Sequence, residues 1–256
     1  MYRLKSFFIV AFAFCIALLS AQQSALILHL ELPAIHKGEE VVTHLGYTLS
    51  YNEKHEQANW VAYQLTAEET EKAFDRSNKF KPDPDVATES ANNADYKGSG
   101  YDRGHLAPAA DMSWSREAMQ ESFYYSNMSP QVPAFNRGIW KELEEQVRDW
   151  ARSNRAIYVV TGPVLEDGLP TIGPNGVSVP RYYYKVILDY TKPDLKSIGF
   201  VLPNEGSDKP LSAFAVSVDE VERITHLDFF PTLPDDVEAK VERMNCYACW
   251  NLRQAQ

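Results

Sequence analysis

The segment Tyr101-Asp102-Arg103-Gly104-His105-Leu106-Ala107-Pro108 sets a titratable imidazole two residues from a permanent cation, directly after a polar stretch that carries glycines. An imidazole whose ordinary pKa lies near neutrality can take a proton from water. A guanidinium can fork onto phosphate oxygens as negative charge builds on them. Hydrolysis of a phosphate ester needs both. Standing alone, a histidine beside Arg103 and Asp102 would serve equally well as a hydrogen-bonded structural residue, so the tetrapeptide has to be weighed together with two downstream segments.

Those segments are Tyr125-Ser126-Asn127-Met128-Ser129-Pro130-Gln131 and Phe135-Asn136-Arg137-Gly138-Ile139-Trp140-Lys141-Glu142-Leu143-Glu144. The side-chain oxygen of Asn136 is a hard, neutral ligand suited to Mg²⁺, which prefers oxygen donors and keeps several of its waters. An asparagine just before an apolar-periodic segment is also a preferred helix N-cap. The two roles are compatible, because a helix start welcomes a phosphate. Glu144 and Arg148 stand four residues apart, the spacing of an ordinary ion pair on a helix surface. Asn127 either orients the strand or loop of His105 or forms a turn before Pro130. If Asn136 and Glu144 lay on one regular helix, they would be separated by about 12 Å of rise and about 80° of rotation. Either Asn136 precedes the regular helix or Glu144 acts through ordered water.

In this combination of motifs and spacings the chain resembles the DNA/RNA non-specific endonuclease family, the endonuclease G-like group of the ββα-metal or His-Me finger superfamily. Asn59-Trp60-Val61-Ala62-Tyr63, Arg76-Ser77-Asn78-Lys79-Phe80-Lys81-Pro82-Asp83-Pro84 and Val160-Thr161-Gly162-Pro163 support the resemblance more weakly. It implies His105 as general base, Asn136 as the single protein ligand of the metal and Arg103 as a phosphate-binding residue. Glu144 would hold water around the metal, and Arg76 and Arg148 would stabilise negative charge. The implied cofactor is Mg²⁺, with Mn²⁺ accepted by the same ligand set. The implied substrates are DNA and RNA, cut with little sequence preference to 5′-phosphate ends, since the 2′-hydroxyl has no part in such a scheme. Two other readings use the same residues: a phosphodiesterase for small nucleotides or other phosphate esters, and a non-catalytic nucleic-acid-binding protein, which would be expected to have lost His105 or Asn136.

Elements to hold these side chains can be traced along the chain. His44 to Tyr51 and Trp60 to Leu65 are rich in aromatic and β-branched residues and read as a hairpin. Asp75 to Gly100, with Pro82, Pro84, Gly98 and Gly100, reads as a long surface loop of the kind that tends to be functional. From Asn136 to Asn154 the apolar residues Ile139, Trp140, Leu143, Val147, Trp150 and Ala151 recur at helical steps. Ile157 to Thr161, Arg181 to Tyr190 and Ser197 to Leu202 read as strands, the middle one alternating Tyr182, Tyr184, Val186 and Leu188. Ser217 opens a helix to about His226 with its hydroxyl placed to accept from the Glu220 amide, and a last helix covers Asp235 to Glu242. Strands and helices without regular βαβ alternation indicate an α+β fold with a mostly antiparallel central sheet. No linker composition interrupts residues 22–256, which are expected to form a single domain.

The formal net charge of −10 counts against a protein that merely holds nucleic acid by phosphate neutralisation, and less against an enzyme with a locally positive cleft. Residues 1–21, a basic start followed by a short apolar run and Ser20-Ala21, read as a signal peptide. Export to the periplasm or the medium is therefore expected, with no stable membrane association. Cys246 and Cys249 suit a small local disulfide without a catalytic role. His29, His36, His44, His55 and His226 have no partner cluster in the sequence. Tyr182, Tyr183 and Tyr184 could stack on bases, although strand alternation puts at least one of them in the core.

Overall fold

The computed structural model describes residues 29–191 and 195–252; the leader expected over residues 1–21 lies outside them. The chain opens with a meander of β1 (Glu40–Thr43), β2 (Thr48–Asn52) and β3 (Gln57–Thr66). It then leaves the sheet to build α1 (Asn93–Tyr96), β4 (Asp102–His105), α2 (Arg116–Glu121), β5 (Met128–Gln131), α3 (Pro133–Asn136) and α4 (Ile139–Asn154). It returns in β6 (Ala156–Pro163), which pairs antiparallel with β3. Next come a short ribbon of β7 (Thr171–Ile172) and β8 (Val177–Ser178), then β9 (Tyr182–Asp189), β10 (Lys196–Pro203) and β11 (Ala215–Val216). The strands form a seven-stranded sheet in the order β1-β2-β3-β6-β9-β10-β11, all of its pairings antiparallel. Helices α5 (Val218–Thr225) and α6 (Asp235–Glu242) close the fold, which has the expected α+β class with an antiparallel central sheet.

The sheet is covered on both faces. On one face α4 lays down Trp140, Leu143, Val147 and Trp150 against Tyr183, Ile187, Ile198 and Phe200. On the other, Val218 and Val221 of α5 and Val241 of α6 pack on Trp60, Val160, Tyr184 and Val186. Two-sided covering explains why β9 departs from simple alternation. Tyr184, Val186 and Leu188 face one core, Tyr183 and Ile187 face the other, and Lys185 is carried inward with them, fully buried. Of the three consecutive tyrosines, Tyr182 alone is exposed.

Two boundaries differ from the sequence reading, each for a local reason. The long helix begins at Ile139 with Gly138 as its N-cap, while Asn136 is the last residue of α3. The helix-cap reading of Asn136 is thus corrected. The chain folds back so tightly between α3 and α4 that a Cβ on Gly138 would lie 2.5 Å from the Ala134 carbonyl oxygen. The segment from Asp75 to Gly100 is not a simple surface loop, because Asp83, Ser90, Ala91, Asp95 and Tyr96 are buried in it. Elsewhere the Ser217 hydroxyl accepts from the Glu220 amide at 3.2 Å, Asp235 to Glu242 is helical, and Cys246 and Cys249 are joined as a disulfide.

The strand that carries His105 is fixed by its partner. β4 and β5 pair antiparallel, with Gly104 opposite Ser129 and His105 opposite Met128. The buried side chain of Gln131 lies across Gly104, where an added Cβ would meet it at 2.1 Å. The glycine of the first motif and the glutamine of the second are therefore one packing unit. Gly104→Ala is expected to destabilise the fold by about 1–3 kcal/mol through overpacking, and truncating Gln131 to Ala in the same chain should recover part of the loss. A double-mutant cycle by chemical denaturation measures this, and additive losses would contradict the coupling.

Candidate active site

His105 stands at the end of β4, 7% exposed, with its ring edge-on to Phe123 at 4.8 Å and 5.9 Å from Phe80. Its Nε2 is buried without a hydrogen-bond partner. Burial, and after it the charge of Arg76, lowers the imidazole pKa to about 3, so at neutral pH the ring is an uncharged acceptor. The backbone leaving the strand is clamped by Asn127. The Asn127 Oδ1 accepts from the Ala107 amide at 2.8 Å, and its Nδ2 donates to the Ala107 and Ser122 carbonyls at 2.9 Å each. Asn127 thereby holds the chain just beyond His105 rather than merely turning it.

The same aromatic pair carries two arginines. The Arg76 guanidinium lies over Phe123 at 4.9 Å and that of Arg103 over Phe80 at 4.8 Å. Their other partners are neutral: Arg76 Nε donates to Asn78 Oδ1 at 2.9 Å, and Arg103 donates to the Tyr125 hydroxyl and to Asn93 Oδ1. Among the described residues neither makes an ion pair with a carboxylate. Aromatic faces hold a cation in place without neutralising it. Both guanidiniums therefore keep their positive charge for an anion.

Asn136 is tied to the first motif. Its Nδ2 donates to Asp102 Oδ2 at 2.9 Å, and the same carboxylate receives Arg137 Nε at 2.8 Å and Nη2 at 2.6 Å. A carboxylate can only accept here, so the amide orientation is fixed by chemistry. The amide nitrogen is consumed and Oδ1 is left as an acceptor without a hydrogen bond among the described residues. Because Asn136 lies in α3, ahead of the regular helix, the constraint on a shared helix with Glu144 does not apply.

Glu144 and Arg148 lie on α4, and both are half-buried rather than on a solvated face. Arg148 donates from Nη1 to Asp111 Oδ1 at 2.8 Å, and the fully buried Asp111 accepts from the Tyr63 hydroxyl through Oδ2 at 2.9 Å. Burial raises the Glu144 pKa above the usual carboxylate range, opposed by the charges of Lys185, Arg148 and Arg76.

A family model described as DNA/RNA non-specific endonuclease matches residues 34–236. The chain belongs to this family. Among its relatives, mitochondrial endonuclease G of Homo sapiens is 40% identical over 203 residues, 73% of this chain and 68% of that protein. Nuclease C1 of Cunninghamella echinulata var. echinulata is 41% identical over 208 residues, 73% of this chain and 81% of that one. A chain of the solved EndoG/EndoGI complex superposes with a TM-score of 0.75 at 37% identity, covering 81% of this chain and 91% of that chain. The protein is a nuclease acting on DNA and RNA, and the inserted β4, β5 and α4 make up the finger motif of this family.

The relatives also correct the expected location. Endonuclease G of Homo sapiens and Bos taurus and the nuclease EXOG of Xenopus laevis are mitochondrial by name, which points to a mitochondrial rather than an exported, periplasmic or secreted enzyme. Among the described residues no helix is long and apolar enough to cross a membrane.

The nuclease family is metal-dependent, and among the described residues His44, Asp83 and Asp85 form one group of side chains within metal-binding reach of one another. In this fold that group is already satisfied internally. His44 Nε2 is 2.9 Å from the buried Asp83, which also accepts from Ser126 at 2.5 Å. Burial alone would raise the Asp83 pKa, but the hydrogen bonds from His44, Ser126 and the Asp85 amide hold it below the usual range. The sequence reading missed His44 and Asp83, together with Asp111 and Lys185, because each finds its partner only through the fold. A buried-carboxylate position in a polar loop and a lysine inside an apolar strand were the signals available. Nothing in the sequence said which groups they would meet.

The depressed His105 pKa makes native stability depend on pH. Unfolded, the imidazole titrates near 6.5; folded, near 3. As pH falls below 6.5 the unfolded chain binds a proton that the native one refuses, so native stability is lost progressively down to about pH 3. Thermal unfolding of the wild type should therefore fall off more steeply over this interval than that of His105→Gln, and parallel curves would contradict a buried neutral imidazole.

Proposed function

We propose that the protein is a sugar- and sequence-non-specific endonuclease in which neutral His105 is the general base, Asn136 the single protein ligand of Mg²⁺, and Arg103 and Arg76 the phosphate clamp. The observation that carries this reading is an uncharged, desolvated imidazole beside two guanidiniums that, among the described residues, form no ion pair with a carboxylate. The freed Oδ1 of Asn136 fits a hard cation that is bound mainly through water. Mg²⁺ held there would neutralise a phosphate oxygen and steady the departing 3′ oxygen. Mn²⁺ suits the same oxygen donor.

The protein's own residues divide the work in this reading. His105 accepts a proton from a water in line with phosphorus, and the new P–O bond forms as the bond to the 3′ oxygen breaks, leaving a 5′-phosphate end. Arg103 and Arg76 take up the charge that accumulates on the phosphate oxygens. Asp102 holds Asn136 in orientation, and Asn127 holds the main chain next to His105. Glu144 would order water around a bound ion. Arg148, whose charge is shared with Asp111, lowers the cost of keeping Glu144 ionised. Nothing in these contacts reads a base edge or a 2′-hydroxyl, which supports action on both DNA and RNA.

Digestion of plasmid, single-stranded DNA and RNA should proceed with Mg²⁺ and stop with chelator, and a small bis-aryl phosphate should be a poor substrate. Activity confined to the small ester would overturn the nuclease mechanism. His105→Ala should lose at least about a hundredfold in turnover while staying folded. Asn136→Ala should shift the Mg²⁺ titration to much higher concentration. An unchanged titration would remove Asn136 as the ligand.

A further inference from the structure

On the face of the sheet opposite α4, helices α5 and α6 bring three carboxylates together. Asp219 and Glu222 are three residues apart on α5 and so project from one side of it; Glu242 is the last residue of α6. Their carboxylate oxygens lie within 4.8 Å of one another. Glu242 is 7% exposed, and its Oε1 is buried with no hydrogen-bond partner. Glu222 accepts from the Phe229 amide at 2.8 Å, which leaves its second oxygen available. Asp228 and Glu238 add negative charge at the edge of the group, and among the described residues no Lys, Arg or His is one of the main groups acting on Glu222 or Glu242. Of the cations nearest in sequence, Arg223 pairs with Glu220 and Arg243 donates to the Ala239 carbonyl, while Lys240 makes no ion pair with the cluster among the described residues.

A buried acceptor facing further carboxylates is costly unless something positive lies between them. Oxygens on opposite sides of a calcium ion, each about 2.4 Å from it, are about 4.8 Å apart. The three carboxylates thus lie close enough together to reach one such cation. Side chains from two separate helices also suit an irregular, adaptable shell, which Ca²⁺ accepts more readily than the strictly octahedral Mg²⁺.

We propose that Asp219, Glu222 and Glu242 form a second, non-catalytic site for a hard divalent cation of the calcium class, which fastens α6 to α5. The site is independent of the Asn136 chemistry, because the sheet stands between them. The competing occupant is a proton. With no cation bound, burial first, and then Glu222, Glu238, Asp219 and Asp228, push the Glu242 carboxyl up to about 8, so a cation would have to displace a proton near neutrality.

The test uses the full chain carrying Asn136→Ala, so that the catalytic ligand contributes no binding, and Ca²⁺ as the probe. After treatment with chelator, Ca²⁺ titrated at pH 8 should bind one to one by calorimetry and raise the unfolding midpoint by about 4 °C or more at saturation. Adding Glu242→Gln should abolish both effects. If that variant fails to fold, Asp219→Asn at the exposed edge serves instead and should weaken binding at least about tenfold. Three results would overturn the site: no saturable Ca²⁺ binding, a midpoint shift of equal size in the variants, or a rise in midpoint from Glu242→Gln itself with no response to Ca²⁺, which would identify the occupant as a proton.

Discussion

The finger of this nuclease depends on keeping one imidazole dry. His105 is packed edge-on to Phe123 with its Nε2 unpartnered, and it pays for that position by giving up its charge over the whole neutral range. A free histidine, with its ordinary pKa near 6.5, would be protonated in part at neutral pH. Desolvation first, and then repulsion from Arg76, keep the imidazole uncharged beside guanidiniums that stay charged. Phe80 and Phe123 make this possible by serving both sides: they exclude water from the ring and support Arg103 and Arg76 without neutralising them.

Beneath the finger, a second electrostatic arrangement crosses from α4 to the sheet. The ammonium of Lys185 is fully buried on β9, without a hydrogen-bond partner and 4.7 Å from the ring of Trp140. Burial lowers its pKa, while Glu144 and Asp111 oppose that fall. Arg148 and Tyr63 complete the group through Asp111. Buried opposite charges rarely gain stability over an apolar packing of the same volume. Their use here is to fix charge: two cations and two carboxylates share one low-dielectric seam, and Glu144 is the carboxylate of the group that also acts on Arg76. The helix that supplies core packing through Trp140 and Leu143 also positions this carboxylate, which ties the rigidity of the core to the geometry of the site.

What could be read from the sequence was periodic or contiguous. The apolar steps of Ile139, Trp140, Leu143, Val147 and Trp150 marked α4, and the cap at Ser217 marked α5. The site residues were found through two motifs whose relation became physical only in the fold, where Gln131 of one fills the space above Gly104 of the other. Asp102 was part of a motif, but its grip on Asn136 and Arg137 spans more than thirty residues and has no local signal. Lys185 was hidden for a different reason. A strand covered on both faces has no polar side, so a lysine within it looks like an interruption of the pattern when it is in fact part of the charge network. The leader was read from composition, and composition could not distinguish between export and the mitochondrial setting of the relatives.

The acidic character of the whole chain and the positive character of the cleft are consistent once charge is counted locally. Asp102 is matched by Arg137, Asp111 by Arg148 and Asp83 by hydrogen bonds from His44 and Ser126, so the carboxylates near the finger are largely compensated. Uncompensated acid collects on the far face, at Asp219, Glu222, Asp228, Glu238 and Glu242. At physiological salt, exposed charges are screened over about 8 Å. A polyanion approaching the finger therefore responds to Arg76 and Arg103 far more than to the formal charge of −10. The same separation limits affinity. With two unpaired guanidiniums beside the finger and an acidic surface beyond them, the electrostatic hold on a phosphate backbone is weak, because affinity for a polyanion grows with the number of phosphates neutralised.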